Sequence, residues 1–329
     1  MNTDKMKAAV YYKYGSPDVI RVMEVDKPTM KCSEVLIQVK AASVNAYDWH
    51  LLRAKPFFTR ALSGLFKPKN KILGADIAGI ITAIGNDVTK FKVGDEVYGC
   101  LESCGKGGLA AGGFAEYVCA KESVIAHKPQ ILSFEEAAAL PMAAVTAMQG
   151  VRNAQVKQGS RVLINGASGG VGAFAVQIAK AFGAEVTGVC STESVEFVRS
   201  LGTDVVIDYK KEDVITDDKQ YDAVIDVAAN LSVKEYRHAL KKNGTCVVIG
   251  FSTLGHTLSY SFAGKRDGKT IKLSITNNKN GDDLSEINKL IETGKLRVVI
   301  DRIYSLDETA EALRHTEMGH PKGKVVITP

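Results

Sequence analysis

The chain has 329 residues, 45% of them hydrophobic, with 42 Lys and Arg against 37 Asp and Glu and a formal net charge of +5. That is enough apolar material for two domains with separate cores, while no apolar run approaches the roughly 18 residues of a membrane span. Like charges never cluster beyond two or three residues, which excludes the basic footprint of a nucleic-acid or membrane-surface protein.

Residues 1–125 read as an all-β domain. Short strands are expected over 7–12, 34–40, 76–83, 96–98 and 114–120, separated by Gly, Pro and Asp turns as in an antiparallel barrel. Lys67, Lys69 and Lys71, next to Pro68, read as a solvated loop. The first seven residues lack the apolar core of a signal peptide, so a cytoplasmic protein is expected. Of the six cysteines only Cys100 and Cys104 are close in sequence, and no histidine or further cysteine near them completes a zinc set.

Ser133 with Glu136 forms a capping box that starts a helix running to about Arg152, which Pro141 breaks or kinks. The run Leu163-Ile164-Asn165-Gly166-Ala167-Ser168-Gly169-Gly170-Val171-Gly172 then takes an apolar strand through a glycine-rich turn into a helical pattern over 171–182. Such a junction aims a helix N-terminus and close-approaching backbone amides at a dinucleotide pyrophosphate. The same residues also match G-x-S-x-G, the elbow of a hydrolase nucleophile, with Asp226 and then His238, His256, His315 or His320 available as triad partners. The flank decides between them. Strands over 185–190, 205–208, 221–227, 245–249 and 270–275 alternate with a helix over 192–201 and one capped by Ser232 and Glu235 that runs to about Lys242. This rhythm specifies a parallel sheet covered on both faces, the doubly wound nucleotide-binding architecture. A helix from about Asp283 to near Gly294, an extended segment over 297–304, a helix capped by Ser305 and Glu308, and a strand over 324–328 complete the chain.

Taken together, Gly74-Ala75-Asp76-Ile77-Ala78-Gly79, Val93-Gly94-Asp95-Glu96-Val97-Tyr98-Gly99 and Ala167-Ser168-Gly169-Gly170-Val171-Gly172 resemble the medium-chain dehydrogenase/reductase superfamily. Ser43-Val44-Asn45-Ala46-Tyr47-Asp48 and Gly319-His320-Pro321-Lys322-Gly323-Lys324-Val325-Val326 are similar to its zinc-independent NADPH:quinone oxidoreductase branch. The resemblance implies an α/β protein: an N-terminal GroES-like β-barrel domain (1–125 and 295–329) plus a Rossmann doubly wound parallel-sheet domain (126–294). It also implies a homodimer, to which an exposed edge strand over 270–275 is suited, and hydride transfer from NADPH to a quinone or α,β-unsaturated carbonyl. A broad NAD(P)-dependent alcohol or aldehyde reductase, or a nucleotide-binding protein with a structural or regulatory role, are the alternatives.

In the zinc relatives the metal ligands would fall at Asn45, Ala75 and about Met142, none of which supplies a thiolate or imidazole. Without a Lewis acid, the substrate itself must delocalise the developing charge, as a quinone or conjugated carbonyl does. The resemblance places Asn45 beside the nicotinamide or substrate and makes Tyr47 the proton-donor candidate. The same position also suits an aromatic that only shapes the pocket. Asp48 is expected to accept backbone amides, and Trp49, His50 and Arg53 follow on one short helix. Thr146, Gly250 and Phe251 are matched to the nicotinamide end of the cofactor, and Ala167, Ser168, Gly169, Gly170 and Val171 to the pyrophosphate. After the second strand, Ser191 and Thr192 leave room for a 2′-phosphate and favour NADP(H), with Tyr209 and Lys210 in support. Glu193 disfavours the phosphate if turned inward and leaves NAD(H) possible; turned outward it serves only the helix dipole.

Overall fold

A computed structural model describes residues 4–55, 59–101, 112–217, 220–250, 254–274, 281–319 and 321–329. The chain divides into two compact units, Met1–Met142 with Asn278–Ser285 and Ile300–Pro329, and Ala143–Asn277 with Glu286–Val299.

The first unit is built on antiparallel strands. β1 (Lys5–Val10) and β2 (Arg21–Asp26) form a hairpin-like pair. β3 (Glu34–Val44) leads into helix α1 (Ala46–Arg53), a short helix α2 (Thr59–Ser63), and then β4 (Asp76–Ile84), β5 (Glu96–Cys100), β6 (Tyr117–Lys121) and β7 (Ile125–His127). Along β3, Val35, Ile37 and Val39 are buried while Leu36, Gln38 and Lys40 are only partly so, the period-two signature of a strand with one face on a core. β3 is the spine: β4 pairs along one edge and β6 takes the first half of the other. The capping box on Ser133 forms, with Glu136 N donating to Ser133 Oγ at 3.1 Å, but its helix α3 (Phe134–Ala138) is short. Pro141 starts a new one, α4 (Pro141–Asn153), at the first-turn position where a missing N–H costs nothing.

The second unit carries β8 (Arg161–Asn165), α5 (Gly170–Ala181), β9 (Glu185–Cys190), α6 (Val195–Ser200), β10 (Val205–Asp208), β11 (Tyr221–Asp226), α7 (Val233–Ala239), β12 (Leu240–Ile249), α8 (Leu254–Ala263), β13 (Lys265–Arg266) and β14 (Lys269–Ser274). Its sheet order is β10-β9-β8-β11-β12-β14-β13, parallel except for β13. Numbering the six parallel strands by sequence gives 3-2-1-4-5-6, the dinucleotide-binding order. Val162, Leu163, Ile164, Val224, Ile225, Cys246, Val247 and Val248 are fully buried, as a sheet covered on both faces requires.

Three expectations are corrected. Thr192–Ser194 is a 3-10 turn, and α-helix begins only at Val195. The helix after Ser232 ends at Ala239 rather than near Lys242, because Leu240 turns to extended backbone, is completely buried and pairs with Tyr221, so 240–249 is one strand with an irregular register. The expected edge strand over 270–275 is covered along its start: β13 pairs with Lys269 and Thr270, and Gly264 O accepts from Ile271 N.

After α9 (Gly281–Glu292), β15 (Ile300–Ser305), α10 (Thr309–Glu317) and β16 (Lys324–Thr328) belong again to the first unit, where β16 pairs antiparallel with the remaining edge of β3 at Ala42, Ser43 and Val44. That pairing brings position 324 to position 45.

Candidate functional site

In the second unit the glycine turn links β8 to α5. Gly166 has φ +81°, a left-handed conformation that suits glycine. Gly172 packs so tightly on the turn that a Cβ there would lie 2.0 Å from Gly166 O. Helix and strand end are thereby held at backbone contact, the close approach a pyrophosphate cradle needs. Ala167 N donates to Val189 O at 2.9 Å and Gly169 N to Gly166 O at 3.2 Å, so these two amides are engaged. The amides of Ser168, Gly170 and Val171 lie at the positive end of a 12-residue helix.

The floor of this turn is a buried polar network that the sequence reading missed. Asp226, the last residue of β11, accepts from Tyr236 Oη at 2.7 Å, Asn165 Nδ2 at 3.0 Å and Ala229 N at 2.7 Å. Asn165 also donates to Asn230 Oδ1 at 2.8 Å, and Val227 N to Asn165 O at 3.0 Å. Burial pushes the Asp226 carboxyl up, against the pull of these donors. The structure gives Asp226 no place in the hydrolase alternative already set aside: it serves the strand ends, and His238 pairs with Asp217 at 2.7 Å. Asn165, Asp208 and Asp226 each end a parallel strand. A polar residue closing an apolar run was the available signal.

At the end of β9, Thr192 Oγ1 donates to Asp208 Oδ2 at 2.7 Å. Glu193 turns to Lys210, whose Nζ donates to it at 2.8 and 3.1 Å. Both side chains of this pair are well exposed, at 65% and 48%. The Lys210 hydrogen bond, with help from Ser191, holds the Glu193 carboxyl down to about 2, and Glu193 raises the Lys210 ammonium in return. Tyr209 stands exposed beside them. Gly250, φ +92°, ends β12, Thr146 is buried on α4, and Phe251 lies outside the described residues.

In the first unit, Asn45 N-caps α1 and its side chain is buried. Nδ2 donates to Asp76 Oδ2 at 3.0 Å and, more weakly, to Ser43 O at 3.4 Å, while Oδ1 accepts from Lys324 Nζ at 2.5 Å. One Oδ1 lone pair is left for another donor. Asp76 also accepts from Met142 N at 3.1 Å and Ser43 Oγ at 3.2 Å. Asp48 takes the expected structural role, accepting Asn45 N at 2.8 Å and Gly74 N at 3.0 Å. Burial pushes the Asp48 carboxyl up to about 7, raises Asp76, and lowers Lys324. Tyr47 is half-buried against the core of the first unit. Lys324 was legible only as part of the C-terminal motif; its partner lies 279 residues away.

Comparison with known proteins agrees with both halves. The family described as alcohol dehydrogenase GroES-like domain matches residues 31–130, and that described as zinc-binding dehydrogenase matches residues 201–327. A 2-methylene-furan-3-one reductase of Solanum lycopersicum is 36% identical over 99% of this chain and 79% of its own length. An NADPH-dependent alkenal/one oxidoreductase, chloroplastic, of Arabidopsis thaliana is 33% identical over 99% and 80%. Among solved structures, the quinone oxidoreductase from Coxiella burnetii superposes with a TM-score of 0.89 at 32% identity, covering 99% of each chain.

Proposed function

Because the chain belongs to the quinone oxidoreductase branch of the medium-chain dehydrogenase/reductase superfamily, we propose that it is an NADPH-dependent reductase of quinones or α,β-unsaturated carbonyls. The observation that carries the dinucleotide half is the contact of Gly172 with Gly166 at the head of α5, a cradle that any side chain would fill. Bound NADPH supplies the hydride. The protein holds it through the amides of Ser168, Gly170 and Val171, with Thr146 and Gly250 toward the nicotinamide. In the first unit, Asn45 and Tyr47 are the residues assigned to the substrate side, Tyr47 as proton donor.

A zinc ion does not suit the first unit. Asn45, Ala75 and Met142 offer no thiolate or imidazole, and no group of three or more His, Cys, Asp or Glu that could hold a metal occurs among the described residues. The reaction therefore relies on a substrate that delocalises its own charge. NADPH oxidation assayed against 1,4-benzoquinone, naphthoquinones and simple enones should show turnover that a chelator leaves unchanged. Loss of activity on chelation overturns the metal-free reading, and cofactor binding without turnover of any acceptor overturns the enzyme.

The preference for NADPH rests on Ser191, Tyr209 and Lys210, with Lys210 exchanging Glu193 for the 2′-phosphate. Glu193→Gln should raise kcat/KM for NADPH about two- to fivefold, the scale of an exposed ion pair, and leave that for NADH unchanged. A fall in the NADH value instead means that Glu193 holds the ribose diol. The carboxyl of Glu193, held down to about 2, stays ionised between pH 5 and 9, so any pH dependence of this effect in that range should follow the 2′-phosphate, whose second pKa is about 6, and not Glu193.

The homodimer belongs to the same reading. Beyond Ile271, β14 has no strand partner on its outer edge among the described residues, which suits pairing across a two-fold axis. A monomer in light scattering would remove it.

A further inference from the structure

Lys324 is an ammonium in an unusual place. It is 4% exposed on a central strand of the first unit, donates to Asn45 Oδ1 at 2.5 Å and Val44 O at 3.2 Å, and faces the carboxyls of Asp76 and Asp48 and the thiol of Cys100. A buried cation of this kind is retained only where the groups around it compensate its charge. Here the compensation also has a direction. Lysine can only donate and an ionised aspartate can only accept, so with Lys324 on one side and Asp76 on the other the Asn45 amide has one orientation, Oδ1 toward the ammonium and Nδ2 toward the carboxylate. Asp76 is in turn anchored by Ser43 Oγ and Met142 N, and the backbone of Asn45 by Asp48.

We propose that Lys324 is a positioning residue of the reductase, acting through Asn45: its ammonium fixes the plane and the flip of the Asn45 amide and so presents the remaining Oδ1 lone pair in one direction. The inference rests on the reading that Asn45 serves the reacting partners. Remove the ammonium and the amide is oriented from one side only, by Asp76 and Ser43 O, while Asp76 loses the counter-charge that keeps it an acceptor. A misplacement of this size at a reacting group costs about 10- to 100-fold in rate.

The test uses the full-length enzyme with NADPH and a quinone. Lys324→Met should lower kcat about 10- to 100-fold, while KM for NADPH, set by the glycine turn of the second unit, changes little. Asn45→Ala should lower kcat by a similar factor, and the double variant should be no worse than the weaker single, because both act through one amide. Losses that multiply, or an unchanged kcat in Lys324→Met, overturn the proposal. Full activity in Asn45→Ala overturns the role of Asn45 itself, a separate failure. If Lys324→Met does not fold, Lys324→Met with Asp76→Asn removes the stranded carboxylate. Its kcat should remain low, and full recovery would mean that the ammonium only balances charge.

Discussion

Gly172→Ala should weaken dinucleotide binding by about 100-fold or more and lower the melting temperature. Helix propensity argues the other way, since alanine is favoured over glycine in a helix interior by about 1 kcal/mol. Sterics win. The new Cβ would stand 2.0 Å from Gly166 O, 2.8 Å from Gly166 C and 2.9 Å from Ala167 Cα, all backbone atoms that no rotamer change can move. Overpacking against yielding side chains already costs about 1–3 kcal/mol, and here α5 must slide off the turn. The amides of Ser168, Gly170 and Val171 then no longer converge, and each tenfold of affinity corresponds to about 1.4 kcal/mol. Titration of NADPH by fluorescence, with a thermal melt of the apoprotein, reads both effects. A raised melting temperature with unchanged affinity would show that propensity had won and that the contact does not position the cradle.

Asp226→Ala is the second large effect, and it is one of stability. The carboxylate is fully buried and satisfies Tyr236 Oη, Asn165 Nδ2 and Ala229 N together. Deleting it leaves three buried donors, each costing about 1–3 kcal/mol when unpaired. Relief from burying a carboxyl, whose pKa burial raises, offsets part of this, so the net loss is about 3–5 kcal/mol. Asp226→Asn should cost much less, about 1–2 kcal/mol, since the amide oxygen still accepts and the Tyr236 hydroxyl can turn to accept from the amide. Urea unfolding of the two variants checks the order, and equal losses would mean that the network contributes little beyond packing. Tyr260 Oη, donating to Leu231 O at 2.7 Å, ties the same loop, so reduced cofactor affinity should accompany the lost stability.

The strands of the second unit and their parallel sheet were open to reading because apolar runs, glycine turns and caps are local. The capping boxes on Ser133 and Ser232 formed, the amides of Glu136 and Glu235 donating to the serine hydroxyls at 3.1 and 3.3 Å, and at the third expected cap Ser305 N donates to the Glu308 carboxylate at 2.8 Å. The strands missed were those with little pattern to read: β2 is largely exposed, and β7 and β13 are three and two residues long. Helix α8 was missed as well. The end of α7 was misplaced because the burial of Leu240 against β11 overrode a helical pattern that continued past it.

What the sequence determined by itself was the pair of sheet types and the glycine turn, since each follows from spacing within one segment; positions 45, 75 and 142 gained their meaning only from the resemblance to the zinc relatives. The tertiary structure alone decided which way polar side chains point. Glu193 turns to Lys210 across 17 residues, Asp226 meets Asn165 across 61, and Lys324 reaches Asn45 across 279. Those choices depend on strand pairing and register, which bring distant residues within hydrogen-bond range, and on burial, which makes an unpaired donor or charge too costly to leave. Periodicity carries no record of either.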